Sequence, residues 1–596
     1  MNRHKENEES QKNLASASLL MNSYFNACQV MSANNKVPHA NWQDIFNLEH
    51  IYKIWLSELT RNPSKICQAQ FDYLHDNFKL CLSMQEASLG KKLQPLIVPA
   101  PEDKRFRSSA WGEEPYFYYL QQSYLLMVQH CMRFIQDNKS SNPKIARQVD
   151  FFTRQFLDAL SPSNYIFTNP DVIKHIIDTK GESLFKGYQN FLDDVIDGGG
   201  QFAIKMTDMS AFEIGKNLAI TPGKVIFQNK LFQLIQYTPT TTKVYQRPLL
   251  IIPPWINKYY ILDLNQKNSY VKWIVDQGFT VFMISWANPD ENYREITFDD
   301  YVTEGVLPAL DAITQATGEQ QVNALGFCIG GTLLATTLAY MKAKHDNRIV
   351  SSTFLATLID FTDPGEIEVF IDEPQLSALE EKMHKDGYLD GRVLMTTFNM
   401  LRANDLFWSY YIHNYLCGKA PHAFDIFYWN TDSVNLPEKM LSFYLRNLYL
   451  NNFLIQKDRL KINGVNIDVS LIDIPAYFLS TEQDHIAPWQ SIFMGAVFLN
   501  SPTTFVLGGS GHIAGVINPP SSQKYSYHFS DHDIKQFETP DEWRANTQTA
   551  TGSWWNHWVT WLTKSAGKKI EPRCPGSGKL PILQDAPGDY VKKRSH

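Results

Sequence analysis

VNALGFCIGGTLLATTLAYMKAKH, Val322–His345, is the stretch on which the fold turns. Its opening residues form a short apolar run of strand length, and the residues after the glycines are small and apolar in the manner of a buried helix. Between the two stands Gly326-Phe327-Cys328-Ile329-Gly330-Gly331. A strand turning directly into a helix around G-x-C-x-G is the pattern of a nucleophile elbow, a turn so tight that the positions two before and two after the nucleophile must be small. Gly326 and Gly330 meet that need. Such a turn lifts the Cys328 side chain above the sheet edge. It also sets the Ile329 N–H at a helix start, where it can donate to an oxyanion. The bland alternative is a buried cysteine in a glycine-rich βα turn.

Outward from the elbow, short apolar runs alternate with helical stretches. RPLLIIPPW, TVFMISWAN, VNALGF and IVSSTFLATLID read as strands, with SYVKWIVDQG, YVTEGVLPALDAITQAT and TLLATTLAYMKAKH as helices between them. The alternation predicts an α/β fold, a mostly parallel sheet covered on both faces, and with the elbow it predicts an α/β-hydrolase core. The catalytic domain is expected over 206–596. Within it, 362–471 breaks the alternation with a long aromatic block, expected as an inserted cap or lid; an independent helical subdomain is the alternative. The sheet resumes at IPAYFLSTEQD and TTFVLGG. Residues 1–205 are expected as a mainly helical N-terminal domain, read from helical spacing in runs such as FYYLQQSYLLMVQHCMRFI, with about the first 15 residues disordered. Near the C-terminus, Trp554, Trp558, Trp561 and Leu562 share helical spacing, the mark of a terminal helix docked on the core, or of a lipid- or polymer-touching surface.

A nucleophilic thiol needs a base, and the base an orienting group. On this fold the chain order is nucleophile, acid, histidine. Asp484 follows the strand of AYFLSTEQDHIAPW, and His512 follows that of TTFVLGGSGHIAGV, so Cys328, Asp484 and His512 fit the order. His512 is expected to take the Cys328 proton and Asp484 to fix its tautomer. His485 adjoins Asp484 but is expected to point elsewhere. Asp360 and Asp363 rank below Asp484, since Asp363-Pro364-Gly365 reads as a turn; His413 and His422 read as structural or surface residues. The second oxyanion donor belongs to the loop Pro253-Pro254-Trp255-Ile256-Asn257. The prolines have no N–H to give; of the other three, Ile256 is preferred.

The composition narrows the classes. The chain has 596 residues, too many for one compact core, and a formal charge of −7 spread along its length. There is no basic stripe for nucleic acid; Lys592, Lys593 and Arg594 read as a solvated terminus. Seven widely spaced cysteines without a Cys-x-x-Cys pair give no support for zinc or redox motifs, hence no metal, and suggest a reduced, cytoplasmic protein. No apolar run reaches the roughly 20 residues of a membrane span. A cysteine nucleophile exchanges readily with thioesters, which favours acyl transfer from a thioester over hydrolysis of oxoesters.

The motifs PPWINKYYILDL, QGFTVFMISWANP, GFCIGG, FTDPGEIEVFIDE, DHIAPW and GHIAGVINPP resemble those of polyhydroxyalkanoate synthases, as do SPSNYIFTNPDV, QLIQYTPTTTKVYQRPLL, LRANDLFW, WNTDSVNLP and APGDYV. The resemblance covers nearly all the chain beyond about residue 100 and points to the single-subunit class I. It implies an acyltransferase that polymerises (R)-3-hydroxyacyl-CoA, typically 3-hydroxybutyryl-CoA, into polyester with release of CoA. Cys328, Asp484 and His512 take the catalytic roles through an acyl-Cys intermediate. No cofactor is implied, because the CoA thioester is the substrate. The resemblance further implies a homodimer, a growing polyester chain, and a cytoplasmic site on polymer granules. Arg402, in LRANDLFW, resembles a position near the CoA entrance; an ordinary salt bridge is its alternative role. A cysteine thioesterase or intracellular polyester depolymerase on the same fold, and a non-catalytic granule-coating protein, are the competing readings.

Overall fold

The computed structural model describes residues 48–60, 63–198 and 204–595. The N-terminal segment expected to be disordered lies outside the described residues. The chain forms two compact units. One takes the described residues up to Asp208 with Phe398–His422, and the other is Met209–Thr397 with Ala423–His596. The aromatic block 362–471 is thus shared between the two.

The first unit is helical: α1 (Leu48–Leu59), α2 (Pro63–Ser88), α3 (Pro115–Asp137), α4 (Pro143–Ala159), α5 (Pro170–Asp178) and α6 (Glu182–Asp197). Its punctuation is readable from sequence. Asn142 and Asn169 each stand before a proline at the first helical position, and each side-chain oxygen accepts from two backbone N–H groups of the first turn. Phe106, Trp111, Phe117 and Tyr124 form a buried aromatic cluster. Beside it Arg105 bonds Asp103, Asp158 and the Tyr124 hydroxyl.

The second unit is built on an eleven-stranded sheet. In chain order its strands are β1 (Gly223–Gln228), β2 (Phe232–Tyr237), β3 (Leu249–Ile252), β4 (Val281–Trp286), β5 (Val322–Phe327), β6 (Ile349–Leu355), β7 (Ala476–Thr481), β8 (Thr503–Gly508), β9 (Ser526–Phe529), β10 (Gln548–Thr551) and β11 (Gln584–Asp585). Across the sheet the order is β10-β9-β8-β7-β6-β5-β3-β4-β2-β1-β11. The run β4-β3-β5-β6-β7-β8 is parallel, and the flanking pairs are antiparallel. Every residue of β3, β4 and β5 is buried, which is why those strands read as unbroken apolar runs rather than as alternating ones. The elbow leaves the end of β5, in the middle of the sheet, and runs into α7 (Ile329–Ala343). This is the α/β-hydrolase arrangement.

The tryptophan stripe forms α8 (Trp555–Thr563), docked by its indoles. Trp554 and Trp555 donate to the carbonyls of Gly515 and Val516 at 3.0 Å each, and Trp558 to Thr353 Oγ1 at 3.0 Å. Trp555, which lies outside the expected stripe, is as buried as Trp558. Among the described residues no helix is long and apolar enough to cross a membrane.

Candidate active site

The elbow is closed by backbone contacts that leave no room for side chains. A Cβ on Gly326 would stand 2.4 Å from Gly331 Cα, and one on Gly330 would stand 2.3 Å from the Ile252 carbonyl oxygen and 2.7 Å from that of Pro253. Gly331, which the turn pattern did not single out, is bound just as tightly: its Cβ would meet Thr357 Oγ1 at 2.0 Å. Cys328 itself sits at φ 52°, ψ −125°, a conformation an L-residue adopts at a cost of about 1–3 kcal/mol. Sheet bonds hold it there. Its N–H donates to the Leu355 carbonyl at 2.8 Å, and its own carbonyl accepts from Gly331 N–H at 2.9 Å and Thr357 Oγ1 at 3.2 Å.

His512 follows β8 and Asp484 follows β7, so parallel pairing of those strands sets the two loops side by side. His512 Nδ1 lies 2.7 Å from Asp484 Oδ2, and both side chains are buried. The remaining carboxylate oxygen, Oδ1, accepts from the Ile486 and Ala487 N–H groups at 2.9 Å each. The His512 ring stacks on Phe327, centroids 5.6 Å apart, and lies near enough to Cys328 to interact with its sulfur. Because Nδ1 is taken by Asp484, the nitrogen toward Cys328 is Nε2. Burial opposes a charge on His512, but Asp484 and the Cys328 sulfur outweigh it and hold the imidazole well above its ordinary range. Burial likewise opposes the Asp484 charge; His512 and the two backbone N–H donors outweigh it and hold the carboxyl below its ordinary value. The Cys328, Asp484 and His512 named from chain order therefore meet in one buried site.

Ile329 opens α7, in the first turn where an N–H has no intrahelical acceptor. The turn holding Ile256 abuts the elbow through the carbonyls of Ile252 and Pro253, which close on Gly330. Trp255 anchors that turn, buried among Trp286, Phe298, Tyr301 and Tyr444. Tyr444 and Tyr449, from the aromatic block, lie close enough to Cys328 to feel its charge. Burial first, then for Tyr444 its neighbour Tyr449, and then that sulfur, push both phenols up, so they stay protonated. Neither tyrosine was legible beforehand, because nothing in their local sequence ties them to a cysteine more than a hundred residues earlier.

The other candidates fall elsewhere. Asp360 accepts from Thr362 and Asn452, and Asp363 closes its turn on the Gly365 N–H. The His485 carbonyl packs against Gly365. His413 and His422 pair with each other in the first unit, rings 5.8 Å apart. Arg402, also in the first unit, is exposed and makes no ion pair among the described residues. The cysteines of the described residues are unpaired, and among those residues no cluster of His, Cys, Asp and Glu is arranged to hold a metal.

Comparison with known proteins bears on the fold and the family. Residues 229–519 match the family described as alpha/beta hydrolase fold. Residues 102–274 match that described as Poly-beta-hydroxybutyrate polymerase (PhaC) N-terminus. A poly(3-hydroxyalkanoate) polymerase of Methylorubrum extorquens is 44% identical over 92% of this chain and 89% of its own length. The chain belongs to the poly(3-hydroxyalkanoate) polymerase family. The polymerase is also 39% identical to the poly(3-hydroxyalkanoate) polymerase subunit PhaC of Cupriavidus necator, over 89% of each chain. Among solved structures, a bromoperoxidase from Bacillus anthracis matches 50% of this chain and 94% of its own, at 14% identity and a TM-score of 0.28. This polymerase is an enzyme of the acyltransferase type.

Proposed function

We propose that the enzyme polymerises (R)-3-hydroxyacyl-CoA, with 3-hydroxybutyryl-CoA as the preferred monomer, through an acyl-Cys328 intermediate. The observation that carries the reading is the buried His512–Asp484 pair, 2.7 Å apart, set beside Cys328 on its strained elbow in a member of this family. In the first half-reaction the thiol proton passes to His512 Nε2, and the thiolate attacks the thioester carbonyl. The Ile329 and Ile256 N–H groups receive the oxyanion. The carbon–sulfur bond to CoA then breaks, and His512 returns the proton to the departing thiolate. In the second half-reaction the 3-hydroxyl of a monomer or chain gives its proton to His512 and attacks the acyl carbonyl. The bond to Cys328 breaks as the ester forms. Asp484 fixes the tautomer throughout. Hydrolysis is suppressed by keeping water away, a task suited to Trp255, Phe361, Tyr444 and Tyr449, which pack edge to face beside the thiol.

Arg402, exposed and without a carboxylate partner among the described residues, is available to the phosphates of CoA. Class I organisation, a homodimer, and a cytoplasmic place on polymer granules complete the proposal. In the test, purified enzyme is given 3-hydroxybutyryl-CoA while free CoA and insoluble product are followed together. Wild type should yield both, and Cys328→Ala neither. Normal CoA release by the variant would remove Cys328 from the reaction. Soluble hydroxy acid in place of polymer would point to a thioesterase or depolymerase.

A further inference from the structure

One buried charge is left unused by this mechanism. The turn Pro253–Asn257 has to hold a backbone N–H still, yet it begins with two residues that have no N–H of their own to anchor it. Its start is pinned from outside: Trp286 Nε1 donates to the Pro253 carbonyl at 2.9 Å. Its far end is pinned by charge. Lys258 Nζ lies 2.8 Å from Asp432 Oδ1, with the two side chains only 4% and 2% exposed. The other oxygen of Asp432 accepts from the Tyr260 hydroxyl at 2.9 Å. Trp429 Nε1 donates to the Lys258 carbonyl at 2.7 Å, and Asn257 pairs with Ser433 as an antiparallel bridge. The short segment Trp429–Ser433 thus grips Asn257–Tyr260 through both backbone and side chains.

The C-terminal basic residues, expected as a solvated terminus, reinforce the grip. Arg594 lies over the Tyr428 ring, 5.4 Å from its centroid, and bonds its hydroxyl. Ser595 Oγ donates to the Ser433 carbonyl at 2.7 Å, and Lys593 pairs with Asp290. Burial draws Lys258 below the ordinary lysine range despite Asp432, so the pair is not there for cheap stability. A well-packed apolar pair of the same volume commonly does as well, and what an ion pair adds is a fixed geometry.

We propose that Lys258 and Asp432 are positioning residues that fix the oxyanion-donor turn at Ile256 against Cys328. They act on the developing oxyanion and leave the nucleophile alone. The proposal rests on the reading of Cys328 as nucleophile and of this turn as an oxyanion donor. It is tested in the full chain with Lys258→Met and with the double variant K258M/D432N, which leaves no lone buried carboxylate. Two rates are compared: CoA release from 3-hydroxybutyryl-CoA, and alkylation of Cys328 by iodoacetamide, which needs the thiolate but develops no oxyanion. The expected result is a fall in kcat of roughly 10- to 100-fold, short of outright loss of a donor. KM should stay within about threefold, and alkylation should be unchanged. Parallel loss of both rates, insolubility of both variants, or an unchanged kcat would each overturn the proposal. A wild type that releases no CoA but is alkylated normally would overturn it by a different route, through the functional reading it rests on.

Discussion

His512 is held well above the ordinary imidazole range, against the cost of burial, by Asp484 and Cys328, and this sets how the site answers pH. Its raised pKa contributes stability that is fully present below about pH 6.5 and is lost as pH rises through the folded value. Asp484 is held low, so its contribution is present above the ordinary carboxyl range and lost as pH falls through the depressed value. Between those limits, across neutral pH, the pair is intact and favours the proton that His512 takes from Cys328. Replacing His512 with Gln should therefore slow Cys328 alkylation by iodoacetamide at neutral pH by roughly tenfold or more, since the thiol loses the base that takes its proton. An unchanged alkylation rate would take the role of base from His512. Asp484→Asn should keep the fold but present the wrong tautomer, lowering CoA release by a factor on the order of 10²–10⁴; a loss of less than tenfold would take the orienting role from Asp484. All three residues were legible because each follows a strand and their chain order is that of the fold. Tyr444 and Tyr449 were not, because they reach Cys328 through the tertiary path of the aromatic block, which leaves no local pattern.

The elbow is an element whose glycines are required by backbone, not by flexibility. A methyl group on Gly330 would press on two carbonyls of the Ile252–Pro253 segment, and neither can swing away as a side chain would. Gly330→Ala should cost about 1–3 kcal/mol in denaturant unfolding and displace the Ile256 turn, so activity should fall with stability. Gly112→Ala, where nothing lies within 4 Å, is the control and should change neither. The buried parallel strands were readable from their apolar runs, and the Asn-Pro starts of α4 and α5 from their capping chemistry. Strands β9, β10 and β11 were not read. β9 and β10 are half-buried or exposed and lack a long apolar alternation, and β11 has two residues, too few to show any period. Gly331 escaped for a related reason: its constraint is Thr357, on the neighbouring strand's exit, which the turn pattern does not contain.

Two units in one chain make a single cooperative transition an unsafe expectation. Scanning calorimetry should resolve more than one transition, and Gly330→Ala should lower the one belonging to the sheet-containing unit while leaving the helical unit's in place. One coincident transition, shifted as a whole, would show the units to be energetically inseparable. The sheet also carries a consequence for how the protein is made. Strand β1 is paired on the outer side of its first half by β11, with Lys224 opposite Asp585 across 361 residues of chain. A ribosome adding about 5–20 residues per second needs roughly 20–70 s to supply that cover. For that interval each nascent chain offers β1 with open N–H and C=O groups, the template on which strands of other chains pair. Polysomes crowd such chains together, so the demand for a chaperone falls early in translation and ends when β11 emerges.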